Sequence, residues 1–262
     1  MPTTLRRHWP EYLMEAGELG TFMIAAGLFT WLLNHPQSPV AIGNGLGGRA
    51  VMGLLMAATA ICLVHSPWGC QSGAHMNPSF TLAFLRLGKV DAWDAAFYVG
   101  AQFAGAVLGI TVAALLVGGG LGTPEVRYAA TTPGAPGPLV AFAAELVISF
   151  VLMLTVLTSS NTVRLARHTP YFVGLLIATY ITIESPLSGM SMNPARTFGP
   201  AFFGRIWDAW WIYFTAPPLG MLLAAETFVR VRGAKAVWCA KLRHTPGKRC
   251  IFRCAYPEPE AG

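Results

Sequence analysis

The sequence predicts an all-α membrane protein built from six transmembrane helices and two re-entrant half-helices, arranged as an inverted 3+3 repeat. Three observations carry that reading. Of 262 residues, 54% are hydrophobic and only 11% are charged, whereas a soluble domain carries roughly a quarter charged residues. The chain therefore lacks the polar surface to cover a globule in water. Apolar runs of bilayer-spanning length, about 20 residues at about 1.5 Å each, fall at about residues 11–33, 50–68, 92–117, 138–160, 170–186 and 209–229. Finally, one phrase occurs twice. The stretch from Ser72 to Leu82 returns, with changes, as Ser188 to Phe198; six of the eleven aligned positions are identical and the offset is 193 − 77 = 116 residues.

The elements follow in order. Span one is preceded by Arg6 and Arg7, and its apolar run from Tyr12 to Leu33 lacks a small-residue cleavage site, so it is read as a retained helix rather than a signal peptide. Arg86 and Lys89 lie between spans two and three; Arg164, Arg167 and His168 lie between four and five; a basic segment follows span six. The connections 34–48 and 118–137 are instead rich in Gly and Pro. This asymmetry places both termini in the cytoplasm, in a plasma or inner membrane, and accounts for the net charge of +6 without nucleic acid as a partner. The whole of 1–262 reads as one membrane domain, with repeats at about 11–117 and 138–231 and a basic cytoplasmic tail over 232–262.

The two repeated phrases interrupt this pattern. In each, Asn-Pro reads as a helix start: Asn77 and Asn193 can accept from a free first-turn N–H, and Pro78 and Pro194 suit the first helical position. The apolar pieces that follow, 78–87 and 194–203, are too short to cross a bilayer and are expected to be half-helices. Three spans per half make the two pieces enter from opposite faces, the pattern of a binding or permeation site between inverted repeats. The residues ahead of them, Gly73, Ala74, His75 and Met76 in one copy and Gly189, Met190, Ser191 and Met192 in the other, must then be non-helical backbone at membrane depth. Such backbone is tolerated only where it lines a cavity. Glu145 in span four would be costly against lipid and is expected to accept hydrogen bonds from the backbone of one loop.

Other residues are assigned ordinary structural roles. His75 is expected to be a packed hydrogen bonder, Ser79 to bond locally at a half-helix start, and Cys70 to be a buried inert thiol. Gly105 with Gly109, and Gly220 with Ala224, are small-residue pairs that fit helix packing, either within the bundle or at an oligomer seam. The spans contain no HExxH, GxSxG or paired catalytic aspartate, so an enzyme is not expected.

With two Asn-Pro boxes, six spans, Arg196 after the second box, and the wording Ser-Gly-Ala-His-Met-Asn-Pro and Met-Asn-Pro-Ala-Arg-Thr-Phe-Gly-Pro, residues 11–231 resemble the aquaporins, the major intrinsic protein family. Gln102, Glu145, Trp211 to Tyr213, Pro217 and Gly220 fall where that family would place them. The resemblance implies a passive channel for water and other small uncharged solutes that excludes ions and protons, a homotetramer with one pore per subunit, and no cofactor. Its boxes are Asn77-Pro78-Ser79, with Ser79 where the family usually has Ala, and Asn193-Pro194-Ala195. It also implies an outer selectivity filter of Arg196, Met190, Ile181 and Ala57, in which Ile181 stands where water-selective relatives often have His. The usual span-one glutamate would fall at Gly17; Glu15 is favoured over Glu18 for that role. Thr197 stands where glycerol facilitators typically have Asp, so water is the first expectation and a glycerol, urea, ammonia or metalloid-acid facilitator the alternative. From other classes, an ion-coupled transporter would need a coupling carboxylate among Glu15, Glu18, Glu145, Glu184 and Glu226, and a junction or scaffold protein would need none.

From Arg230 to Arg253 the chain carries eight Lys or Arg and no acid, which predicts docking on anionic lipid with Trp238 and Phe252 as wedges, at about 1 kcal/mol per basic residue. Five scattered cysteines do not form a secreted disulfide framework. The spacing of Cys239, His244, Cys250 and Cys254 fits no familiar ligand set, so no metal is expected there.

Overall fold

The computed structural model describes residues 2–257; the last five positions of the expected tail lie outside the described residues. Among those described there are ten α-helices and no strand. They are α1 (Pro2–Asn34), α2 (Leu46–His65), α3 (Pro67–Ser72), α4 (Pro78–Arg86), α5 (Ala92–Val117), α6 (Pro138–Ser160), α7 (Thr169–Ile183), α8 (Ser185–Ser188), α9 (Pro194–Gly204) and α10 (Trp211–Arg232).

Five helices, α1, α2, α5, α6 and α10, are long and apolar enough to cross a membrane. The expected span 170–186 is shorter than predicted. It is α7, of 15 residues, ending before the four-residue α8, which has a proline in its first turn. Likewise the expected run 50–68 divides: α2 stops at His65, and Ser66 caps the separate α3 by accepting from the Gly69 N–H at 3.0 Å. The half-helices are α4 and α9, each opened by its Asn-Pro pair.

Several contacts place both ends of the chain on one face. The Arg249 guanidinium donates to the Arg7 carbonyl at 2.5 Å, Gln71 donates to Glu11 at 3.0 Å, and Arg86 pairs with Glu226 at 2.7 Å. The Trp238 N–H also donates to Asn161 in the α6–α7 connection at 2.6 Å. A start and an end on the same face require an even number of crossings.

The small-residue pairs act inside the chain. A Cβ on Gly109 would stand 2.3 Å from the Gly20 carbonyl oxygen, and one on Gly220 would stand 2.4 Å from that of Leu146. The glycines therefore allow α5 to lie directly on α1, and α10 directly on α6. Side-chain pairs recur in the same sense: the Tyr98 hydroxyl donates to the Ser72 carbonyl at 2.7 Å, and the Tyr213 hydroxyl to the Ser188 carbonyl at 2.5 Å.

Gly220→Val is expected to force α10 off the α6 backbone, costing about 1–3 kcal/mol. Gly100→Ala, whose added carbon meets nothing within 4 Å, should be neutral or slightly stabilising. Thermal unfolding of the purified protein in detergent, followed by tryptophan fluorescence, would separate the two.

Candidate functional site: a cavity between two loop-to-helix starts

Both loops reach their helix starts through the same backbone route. Gly73 and Gly189 have positive φ (101° and 81°), and so do Ala74 (54°), Met76 (47°), Met190 (52°) and Met192 (54°). A non-glycine residue in the left-handed region costs of the order of 1–3 kcal/mol, so eight residues of loop hold four such positions only because something compensates. Two buried carboxylates do. Glu15 accepts from the N–H groups of His75 (2.8 Å) and Met76 (2.7 Å); Glu145 accepts from those of Ser191 (2.6 Å) and Met192 (2.7 Å). The alternating geometry turns two successive N–H groups of each loop toward the carboxylate.

Each carboxylate has further support. Gln102 donates to Glu15 at 2.9 Å, and the Ser188 hydroxyl donates to Glu145 at 2.8 Å. Glu18 has a different partner, the Ser72 hydroxyl at 3.1 and 3.2 Å. Gly17 faces the Trp68 ring, 2.9 Å from where its Cβ would be, leaving no room for a glutamate at that position.

The two asparagines bind the loops to each other. Asn77 Oδ1 accepts from the Ser79 N–H at 2.8 Å, and Asn193 Oδ1 accepts from those of Ala195 and Arg196 at 3.0 and 3.2 Å. Across the site, Asn77 Nδ2 donates to the Met192 carbonyl and Asn193 Nδ2 to the Met76 carbonyl, both at 2.7 Å. An amide nitrogen carries two N–H groups, so each asparagine keeps one for an occupant of the cavity. The starts of α4 and α9 thus meet at one point.

That cavity has a volume of about 510 Å³ and includes Asn77, Asn193, Arg196, Met190 and Ile181 in its wall. It runs from Val64 and Leu242 at the face bearing the termini to Asn44 and Pro186 at the other. The Arg196 guanidinium donates to the Ala129 carbonyl at 2.8 Å; the carbonyl is presented by three successive left-handed residues, Arg127, Tyr128 and Ala129. Sequence reasoning missed this partner, since no motif marks it.

Three expectations require correction. Ala57 is not part of the cavity wall: its carbonyl lies against Gly174 of α7, and Met52 and Met56 supply the α2 wall instead. Met52 is close to the level of Ile181, because the adjacent Arg49 Nε donates to the Thr182 carbonyl at 3.0 Å. The pairing of α2 with α7 decides this register, and sequence alone left it open by a turn. The Ser79 hydroxyl makes no local bond; it is buried without a partner among the described residues, and the backbone N–H of Ser79 is what Asn77 caps. In the tail, Phe252 is no lipid wedge. Its ring stacks on His75 at 5.3 Å and 8°, and Lys241 is likewise buried, donating to the Cys70 carbonyl at 2.9 Å. His75 itself donates from Nε2 to the Ala240 carbonyl at 2.8 Å, leaving Nδ1 to accept from Thr81 at 3.0 Å.

Comparison with known proteins places this geometry in context. Residues 9–228 match the family described as Major intrinsic protein. Among curated relatives, the chain is similar to "Aquaporin TIP4-4" of Zea mays (34% identical over 208 residues, 76% of this chain and 81% of that one). It is similar also to "Glycerol uptake facilitator protein-like 6" of Lactiplantibacillus plantarum (32% over 228 residues, 86% and 99%). Among solved structures it shares the fold of the aquaglyceroporin from Plasmodium falciparum, with a TM-score of 0.71, 20% identity, and coverage of 87% of this chain and 98% of that one.

Glu145→Gln sets an amide donor against one of the two loop N–H groups and should destabilise the protein by about 1–3 kcal/mol. Glu15→Gln should act in the same direction. Glu226→Gln, which loses only a partly exposed pair with Arg86, should shift stability by under about 1 kcal/mol. Hydrogen exchange of peptides covering 188–193 should quicken in the Glu145 variant alone.

Proposed function

The chain belongs to the major intrinsic protein family and is an aquaporin or aquaglyceroporin-type channel; from that premise we propose that it passes water first, together with small uncharged solutes, and excludes ions and protons. The observation that carries this reading is the pair of cross-linked asparagines, each with one N–H left over beside the cavity. A water at that point accepts from Asn77 and Asn193 through its oxygen. Its own hydrogens then point away along the cavity in both directions, so it cannot receive a proton from one neighbour and hand it to the next. The starts of α4 and α9 add roughly half a positive charge each, which raises the barrier to cations, hydronium included.

Selectivity is assigned to Arg196 with Met190, Ile181 and Met52. Arg196 offers the donors, and its bond to the Ala129 carbonyl supports a fixed position. The other three side chains are apolar and contribute no further hydrogen bond, which favours a filter that takes water and tolerates a small neutral solute with an apolar flank. An ion-coupled transporter is disfavoured because none of the five carboxylates it could use lines the cavity: Glu15, Glu18 and Glu145 are buried and bonded to Met76, Ser72 and Ser191, Glu226 pairs with Arg86, and Glu184, buried with neither oxygen bonded among the described residues, lies outside the wall. We assign the face bearing the termini to the cytoplasm, on the distribution of basic residues, take residues 11–117 and 138–231 as the inverted repeats, and take the homotetramer as the working assembly.

Light-scattering shrinkage of proteoliposomes tests the reading. Water flow at least about tenfold above empty liposomes, insensitive to voltage, is expected of a channel that excludes ions; flow equal to empty liposomes would overturn it. Glycerol, urea and ammonia gradients in the same preparation rank the solutes. Arg196→Val should admit cations or larger solutes while water flow persists. Met52→Trp should block water flow, and Ala57→Trp should act through folding yield rather than through the permeability of the folded fraction.

A further inference from the structure

We propose that Cys239, His244, Cys250 and Cys254 form a tetrahedral zinc site, and that the ion clamps the C-terminal segment onto the first loop at the mouth of the cavity. This reverses the reading drawn from spacing, and the folded geometry is the reason. One ligand atom from each of the four residues comes within 4.8 Å of all the others. Cys239 Sγ lies 3.6 Å from Cys250 Sγ, and Cys254 Sγ lies 3.3 Å from His244 Nε2. Tetrahedral zinc, with bonds of about 2.3 Å to sulfur and about 2.0–2.1 Å to nitrogen, sets such ligand atoms about 3.4–3.8 Å apart. At 3.6 Å the two sulfurs are far from disulfide-bonded, and all five cysteines are free thiols.

The donor set selects the ion. Three soft thiolates and one imidazole in a closed tetrahedron suit zinc and not magnesium or calcium, which take oxygen. Three thiolates against a divalent ion leave one negative charge, and Lys241, Arg243, Lys248, Arg249 and Arg253 are all sequence neighbours of the ligands. The His244 ring is held flat against Tyr256, at 4.3 Å between centroids and 4° between planes.

The segment also needs a clamp. From Val237 to Pro257 no helix or strand forms, yet Val237, Cys239, Ala240, Lys241, Leu242 and Phe252 are buried. A structureless stretch has little internal hydrogen bonding to hold it, and a metal site couples its binding energy to the ordering of such a chain. What the clamp holds is specific. Directly after the first ligand, Ala240 accepts from His75, Lys241 reaches the Cys70 carbonyl, and the Leu242 N–H donates to the Gly73 carbonyl at 3.1 Å. Between the third and fourth ligands, Phe252 packs on His75 and Tyr98. Leu242 forms part of the cavity wall, so the ion fixes the position of a residue at the mouth.

Three measurements on the full-length, tag-free protein test this. Elemental analysis should find one zinc per chain, falling at least tenfold in the double variant Cys250→Ser/Cys254→Ser and unchanged in Cys62→Ser. Stripping the wild-type protein with a chelator and adding cobalt(II) alone should restore one equivalent, with thiolate-to-cobalt charge-transfer absorption and tetrahedral ligand-field bands. Trypsin should cut after Lys241 at least tenfold faster in the stripped protein than in the zinc-loaded one, an outcome that does not depend on the variant folding. Absence of zinc together with no thiolate–cobalt absorption would overturn the site, as would loss of two thiols to a Cys239–Cys250 disulfide in the purified protein. Zinc bound with no change in cleavage at Lys241 would overturn the clamp. None of these readouts uses solute flow, so they stand or fall separately from the permeability of the channel.

Discussion

Two carboxylates inside a membrane bundle would be a severe liability if they faced hydrocarbon, because an isolated charge without partners is costly there. Glu15 and Glu145 are instead the points from which the two loops hang. Each takes two successive backbone N–H groups, and each loop adopts left-handed dihedrals at two non-glycine residues to present them. The favourable charge-assisted bonds offset the strain. With the N–H groups turned to the carboxylates, the Met76 and Met192 carbonyls are left to accept from the asparagines. The asparagine side chains then close the arrangement by bonding across to the opposite loop.

Such an arrangement demands a rigid frame, because a shift at either loop would lengthen and weaken bonds of 2.6 to 2.8 Å. The frame comes from backbone contact at glycine. Where α5 crosses α1 at Gly109 and α10 crosses α6 at Gly220, neither site has room for even one added carbon. Dispersion and close packing act over the whole length of those crossings, and the carboxylate of each pair sits on α1 or α6 itself. The element that carries the loop support is therefore also the element most tightly held.

The segment after α10 belongs to the same construction. Besides its bonds to Arg7, Lys89 and Asn161, it reaches Gly73, His75 and Cys70, on or beside the first loop, and among the described residues the second loop has no hydrogen bond from this segment. The two halves, alike at their asparagines, glutamates and tyrosines, differ at their outer surroundings. One loop is backed by the C-terminal segment. The other is backed by the 127–132 turn, through the Ala129 carbonyl on Arg196 and Thr131 on Thr197 at 2.7 Å.

The helical class, the interior phrase repeated at 116 residues and the two cavity asparagines were legible in the sequence because they depend on local rules: apolar run length, N-cap chemistry and proline at a helix start; Arg196 was legible only through the family resemblance of the wording around the second box. Glu145 was legible for a related reason, since a lone acid in an apolar run must find donors. Glu15 could be favoured over Glu18 only from local wording, and its bonds to the His75 and Met76 N–H groups belong to the fold. Only the tertiary structure could decide that Met52 rather than Ala57 walls the cavity. The two lie just over one helical turn apart, and which of them faces inward is set by how α2 lies against α7. Only the tertiary structure, too, could turn Phe252 and Lys241 inward and bring donor atoms of Cys239, His244, Cys250 and Cys254 within 4.8 Å of one another. Charge and spacing along a chain say nothing of its reversals in space, and in a segment with no helix or strand period those reversals are set by what it packs against.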